Sequence, residues 1–317
     1  MSLRRRLLEL AKRMFFWIYK AGTRLGVHLL PVHFYTPEPD IVELERTRAV
    51  WARPSEMPGV RVDLDEQVEN LMRICLPYQS EYQGNRPYRE GVAAERRLRY
   101  GYVEAQALYA VVRQCRPSQV VEVGGGLSSR VTCTALNANA AQDQVSGRLT
   151  CVEPYPSRAL RALAATEARL TLIAQPVQRV PTALFTSLSR GDILFVDSSH
   201  VVKAGSDVTH LLLEVLPRLN PGVLVHFHDI FLPYDYQPDV LDSFLHLNET
   251  PFLHAFLAFN DRFRILFCLS HLHHARPQAL TQVFPEYEPL QTPDGLRSGF
   301  RDARQHLPTS LWLEVNG

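Results

Sequence analysis

From residue 119 onward, short apolar runs alternate with stretches of helical spacing. The runs at 119–123, 149–153, 170–174, 192–197 and 222–228 read as strands, and helices fall near 128–140, 157–168, 181–189, 205–218 and 238–258. Apolar runs of this length, bounded by turns and alternating with helices, predict an α/β chain with a doubly wound parallel sheet. Two more β-runs follow, 262–270 and 310–315, and the polar, Pro-rich stretch 271–309 between them carries no clear period. Upstream, apolar spacing predicts helices over 40–51, 63–77 and 98–115. Asn85-Arg-Pro87 reads as a loop and 31–62 as a Pro-rich connector.

The first strand runs into Glu122-Val-Gly124-Gly-Gly126-Leu-Ser128-Ser129, and the second ends in Glu153. Glycines let a backbone approach a ligand with no Cβ in the way. Ser128 and Ser129 are good residues to open a helix, whose N-terminus can hold an anion. An acid at the tip of the next strand can accept hydrogen bonds from both ribose hydroxyls. The expected ligand is therefore a nucleoside-containing cofactor at the carboxyl end of the sheet. Ser129 stands where the dinucleotide pattern requires its third glycine, which weighs against NAD.

Composition narrows the field little. The net charge of +1 offers no basic field for nucleic acid. Five scattered cysteines contain no C-x-x-C, so neither a zinc knuckle nor a disulfide framework is signalled, and a reduced, cytoplasmic setting is expected. The N-terminus departs from this average. Arg4, Arg5, Arg6, Lys12, Arg13, Lys20 and Arg24 face only Glu9, while Leu3, Leu7, Leu10, Met14, Trp17 and Ile18 fall near helical spacing. The apolar run Met14–Tyr19 is too short to span a bilayer. A basic amphipathic helix over residues 1–26 either contacts an anionic membrane face, which would place the protein on the inner face of a membrane, or packs on the following domain. Both readings stay open.

The stretch Asp192–Asp229 carries the chemistry. Asp197 ends the fourth strand, with His200 three residues on, and His228 and Asp229 end the fifth. Neighbouring parallel strands lie about 4.8 Å apart, so these tips converge beside the nucleoside site. Two carboxylates and an imidazole brought together there are costly unless they hold a cation or move a proton. The bland alternatives are a capping role for Asp197 and a structural His200. His226 shares strand parity with His228, Lys203 is a more distant base, and His271, His273 and His274 read as a solvated loop.

The glycine turn resembles motif I of class I S-adenosylmethionine-dependent methyltransferases. The stretch Tyr109–Gly124, together with the two acidic strand ends, resembles the metal-dependent O-methyltransferases of the catechol and macrolide-sugar type, over residues 98–270 and 310–315. The resemblance implies a Rossmann-like, doubly wound seven-stranded sheet, mostly parallel with an antiparallel C-terminal strand, plus an N-terminal helical extension. It implies S-adenosylmethionine held by Glu122, Gly124, Gly126, Ser128, Glu153, Gln178 and Asp197. It further implies a divalent cation, Mg²⁺ or Mn²⁺, on Asp197, His228 and Asp229, with His200 as general base. His228 departs from the acid common in that family, and an imidazole shifts preference toward Mn²⁺, Fe²⁺ or Zn²⁺.

The expected organisation is a basic helix over 1–30, a wrapping segment over 31–97 and a methyltransferase domain over 98–317, with 271–309 as an inserted loop. The expected reaction is methylation of a hydroxyl on a sugar or secondary-metabolite acceptor. A metal-independent N-methyltransferase, or a non-catalytic module docking membranes or partners, are the alternatives. A homo-oligomer stays open, and the acceptor is not legible.

Overall fold

The computed structural model describes residues 3–95, 100–297, 299 and 301–317, with side chains from Leu10 on. Arg4, Arg5, Arg6, Leu3, Leu7 and Glu9 as side chains, and residues 98 and 99 of the expected 98–115 helix, lie outside the described residues. The chain divides into two units, Met1–Trp51 and Ala52–Gly317. The first holds α1 (Leu3–Arg24) and α2 (Ile41–Trp51).

In the second unit the helices are α3 (Leu64–Cys75), α4 (Gln79–Tyr82), α5 (Arg86–Glu95), α6 (Tyr102–Cys115), α7 (Leu127–Gln142), α8 (Arg158–Thr166), α9 (Ala183–Thr186), α10 (Asp207–His210), α11 (Glu249–Leu257), α12 (Leu269–Ala275) and α13 (Pro277–Val283). The strands are β1 (Gln119–Val123), β2 (Arg148–Val152), β3 (Leu170–Ile173), β4 (Ile193–Val196), β5 (Leu224–Phe227), β6 (Phe263–Cys268) and β7 (Leu311–Val315). They form one sheet in the order β3-β2-β1-β4-β5-β7-β6. The first five pair in parallel, and β7 runs antiparallel between β5 and β6. This is the Rossmann-like seven-stranded sheet expected, with its reversed last strand.

Each face of the sheet carries an apolar layer. Phe195, Trp312 and Leu149 pack with α6 and α7 on one side. Val121, Val196, Phe227 and Leu313 pack with Leu211, Leu253 and Leu257 on the other. Side chains alternate across a strand, and strands buried on both faces are apolar nearly throughout. That is why these short runs were visible in the sequence. The chain order reverses at β1, with β2 on one side and β4 on the other. The crevice at the carboxyl ends of β1 and β4 is thus the topological switch point, where open α/β sheets bind ligands.

Four segments differ from expectation. Residues 238–248 are turns, tied by Gln237, whose amide reaches Leu245 O and Asp239 and accepts from Leu247 N. The helix starts only at Glu249. Within 181–189 only Ala183–Thr186 is α-helical. Asn85-Arg-Pro87 is the start of α5 rather than a loop, with Pro87 in the first turn, where a missing N–H costs nothing. The 271–309 stretch opens with α12 and α13. His271, His273 and His274 are not a solvated loop: His273 is buried against the Tyr287 hydroxyl, and burial pushes all three imidazoles below their ordinary range.

Candidate active site

One register row defines the site. Val123 pairs with Val152 and Val196, and Val196 with Phe227. The next residue on each strand is Gly124, Glu153, Asp197 or His228. Three backbone bonds hold this outer row together: Gly124 N to Val152 O at 2.9 Å, Asp197 N to Val123 O at 2.8 Å and His228 N to Val196 O at 3.0 Å. The ladder thus sets the spacing of the chemical groups.

The glycine turn is shaped from beneath. Gly124 has φ +86°, and a Cβ there would lie 1.7 Å from the Asp197 carbonyl oxygen. Its glycine is demanded by protein backbone, whereas a Cβ on Gly126 would meet only Glu95 Oε1 at 3.7 Å. Gly126 therefore leaves the loop open to a ligand. Glu122 is fully buried and accepts from the Ser128 and Ser129 hydroxyls, each at 2.6 Å. It lines neither cavity described below, and through these two hydroxyls it braces the loop.

Burial pushes the Glu122 carboxyl up to about 8, against the two hydroxyls that favour the anion. A pKa raised on folding means that the native state holds a proton that the unfolded chain has lost. The contribution is complete below the ordinary carboxylate range and falls away as pH rises through about 8. The expected outcome is a melting temperature that declines between pH 5 and 8. Glu122→Gln, neutral throughout, should flatten that decline, and an identical pH profile in the variant would refute it.

Two cavities meet at Asp197. One, about 390 Å³, is lined by Gly124, Glu153, Val177, Gln178, Asp197 and Lys203, among others. The other, about 740 Å³, is lined by Tyr100, Gly126, Ser128, His200, His228 and Asp229, among others. Glu153, Tyr155, Asp197 and Ser198 line both. One Glu153 oxygen accepts from Tyr155 N at 2.7 Å, leaving the other for a ligand. Gln178 donates to Gly205 O at 2.9 Å, which leaves its amide oxygen available.

Asp197, His200, His228 and Asp229 offer donor atoms within 4.8 Å of one another. His200 Nε2 lies 3.3 Å from Asp197 Oδ1 and 3.5 Å from Asp229 Oδ2. His228 Nδ1 lies 3.1 Å from Asp197 Oδ1 and 3.6 Å from Asp229 Oδ2. Donors bound to one ion at about 2.0–2.2 Å sit roughly 3.0–3.5 Å apart, so the set has the dimensions of a single-cation site. His200 and Asp229 both adopt positive φ, +56° and +54°, a backbone cost that clusters at functional sites.

Behind each imidazole stands a buried carboxylate that the sequence reading missed. Glu249, opening α11, bonds His200 Nδ1 at 2.9 Å. Glu104, in α6, lies 3.2 Å from His228 Nε2 and accepts from Thr309 N and Oγ1 at 2.6 and 2.8 Å. Such partners fix ring orientation and tautomer. Glu104 had a signal, a lone acid within the apolar run Tyr102–Val112, whereas Glu249 had none. Burial opposes charge on all these groups, but mutual pairing overrides it at most of them. Asp197 is held well below its ordinary range by His228 and His200, and both imidazoles are held well above theirs by the surrounding carboxylates.

His226 is excluded from this chemistry. It lies on the same side as His228, both rings facing Tyr100. Its own ring, though, is stacked between Phe195 and Trp312 at 4.1 Å each and bonds Ser310 Oγ at 2.8 Å. Lys203 lines the smaller cavity and not the larger one that holds the cluster's two imidazoles.

Residues 121–230 match a family described as a methyltransferase domain. An uncharacterised protein of Archaeoglobus fulgidus is 30% identical over 173 residues, covering 51% of this chain and 75% of its own. Among solved structures, the SAH-bound methyltransferase PaMTH1 of Podospora anserina aligns with 91% of this chain and 100% of its own, at 14% identity and a TM-score of 0.36. CalS11, a TDP-rhamnose 3'-O-methyltransferase of calicheamicin biosynthesis, aligns with 53% of this chain and 80% of its own, at 15% identity and a TM-score of 0.32. The matched family spans β1 to the end of β5, the segment that supplies the outer row of the site. With that match and this strand order, the chain belongs to the class I S-adenosylmethionine-dependent methyltransferases.

Proposed function

We propose that the protein methylates a hydroxyl group of a small molecule of the sugar or secondary-metabolite kind, with a divalent cation bound at the strand tips. The observation that carries this reading is the cluster of Asp197, His200, His228 and Asp229 on the wall of the larger cavity, with Asp197 also facing the smaller one. S-adenosylmethionine supplies an electrophilic methyl group. A cation would polarise the acceptor hydroxyl and lower its pKa.

The chain's own residues do the rest. Glu153 holds the ribose diol, and the open backbone at Gly126 admits the methionine end. Asp197, His228 and Asp229 would hold the cation, with Glu104 orienting His228. A cation on Asp197 and Asp229 would offset the carboxylate charge that otherwise keeps His200 protonated. His200, then neutral, takes the hydroxyl proton at Nε2 while Glu249 keeps Nδ1 as a donor and stabilises the imidazolium that results. Tyr100, buried against the His228 ring at 4.7 Å, helps exclude water from that corner. Holding acceptor oxygen and methyl donor in register supplies much of the acceleration.

The test is formation of S-adenosylhomocysteine from S-adenosylmethionine over a panel of hydroxylated acceptors, before and after exhaustive chelation. Activity should vanish on chelation and return with Mn²⁺ at least as well as with Mg²⁺, because an imidazole is among the ligands. Full turnover in the chelated enzyme would refute the cation. Turnover only with amine acceptors would favour the N-methyltransferase reading.

A further inference from the structure

We propose that the N-terminal unit docks the protein on anionic lipid through residues 10–35. From Leu10 to Pro37 the sequence has no Asp or Glu, and it carries Lys12, Arg13, Lys20 and Arg24. Helix α1 is 22 residues long. On it, Leu10, Met14 and Trp17 are exposed at helical spacing, at 66%, 58% and 70%. Arg13, Lys20 and Arg24 recur at seven and four residues along an adjoining stripe, and all three are exposed. A large apolar face edged by cations lies in the plane of a lipid surface rather than across it, and no described helix is long and apolar enough to cross a membrane.

The chain after α1 extends this surface. Leu25 and Val27 both donate backbone N–H to Gly22 O, at 2.9 Å each, and Gly26 turns with φ +78°. The chain thereby folds back, setting the His28 ring 5.5 Å from Tyr19. A Cβ on Gly22 would lie 2.7 Å from Val27 O, so the close return requires glycine there. The segment so placed exposes Leu25, Val32, Phe34 and Tyr35, each more than four-fifths accessible. Aromatic residues beside aliphatic ones and cations suit the boundary between headgroup and acyl chain. The occupant this chemistry selects is a negatively charged bilayer, because cations without a single carboxylate would repel a second copy of the same surface.

The test is co-sedimentation of the full chain with vesicles of phosphatidylcholine alone or containing about 30 mol % phosphatidylserine. The protein should pellet with the anionic vesicles at low salt and be released at high salt. Emission in a Trp51→Phe background, where the fully buried Trp312 adds only a fixed component to that of Trp17, should shift to the blue. Replacing Arg13, Lys20 and Arg24 together with Gln should lower partitioning by about 100-fold. Phe34→Ser with Trp17→Ser should weaken binding even where salt has little left to screen. Unchanged circular dichroism and S-adenosylhomocysteine binding would confirm that these variants fold. Equal pelleting with both vesicles, indifference to salt, or a dimer in light scattering with no vesicle binding would each overturn the proposal. Wild-type lipid and salt dependence decides the matter even if a variant misfolds.

Discussion

Asp197→Asn should abolish methyl transfer and cation binding together while leaving the fold intact. The substitution keeps the side chain's size and removes its charge. Asp197 is the one cluster member that lines both cavities, and its Oδ1 lies within 3.3 Å of both imidazoles. Loss of a supporting residue behind a metal ligand already costs about 10–100-fold in affinity, so loss of this ligand should exceed about 100-fold. Asp229 would then be the only anionic ligand left to the cation, beside the neutral His228 imidazole. Calorimetric titration with Mn²⁺ and an S-adenosylhomocysteine release assay read the two effects separately. A variant that binds Mn²⁺ normally would remove Asp197 from the ligand set, and one that turns over normally would remove it from the reaction.

His200→Ala should lower turnover by roughly 10²–10⁴ and spare S-adenosylmethionine affinity, since His200 faces the larger cavity alone. The backbone there complicates the choice of variant. With φ +56°, alanine pays a conformational cost that asparagine largely avoids. The His200 carbonyl also accepts from Asn248 N at 3.0 Å and Glu249 N at 3.2 Å, so slackening this corner would move Glu249 as well. His200→Asn is therefore the cleaner variant, keeping the left-handed turn while removing the base. Both variants should show the same deficit in turnover with unchanged cofactor affinity. If His200→Asn turns over normally and only His200→Ala is impaired, the residue shapes the loop and does not take the proton.

Much of this site was legible because it grows from strand ends. Fully buried parallel strands must be short and apolar, so β1, β2, β4 and β5 announced themselves, and the residue after each was fixed by the ladder. Glu153, Asp197 and His228 were found in that way. Side chains whose partners come from distant segments were not. Glu249 reaches His200 across 49 residues of sequence, and Glu104 reaches Thr309 across 205, separations that no local period encodes. Glu122 was found at the end of the first strand, and its bonds to the Ser128 and Ser129 hydroxyls show how it orients the glycine loop. The helix expected over 238–258 failed for a local reason, since the Gln237 side chain bonds the backbone of Leu245 and Leu247 and so competes with a helix there. The histidines of α12 were misread because an imidazole in sequence carries no mark of what will cover it, such as the Tyr287 hydroxyl that receives His273.

The central claim is that the strand-tip cluster is a cation site serving methyl transfer, and it can be tested without knowing the acceptor. Electron paramagnetic resonance of Mn²⁺ titrated into the chelated protein counts bound ions directly. One bound Mn²⁺ per chain is predicted, lost in Asp197→Asn and displaced by competing transition metals. An unaltered spectrum of free Mn²⁺ in the wild-type protein, with S-adenosylhomocysteine bound, would contradict the account.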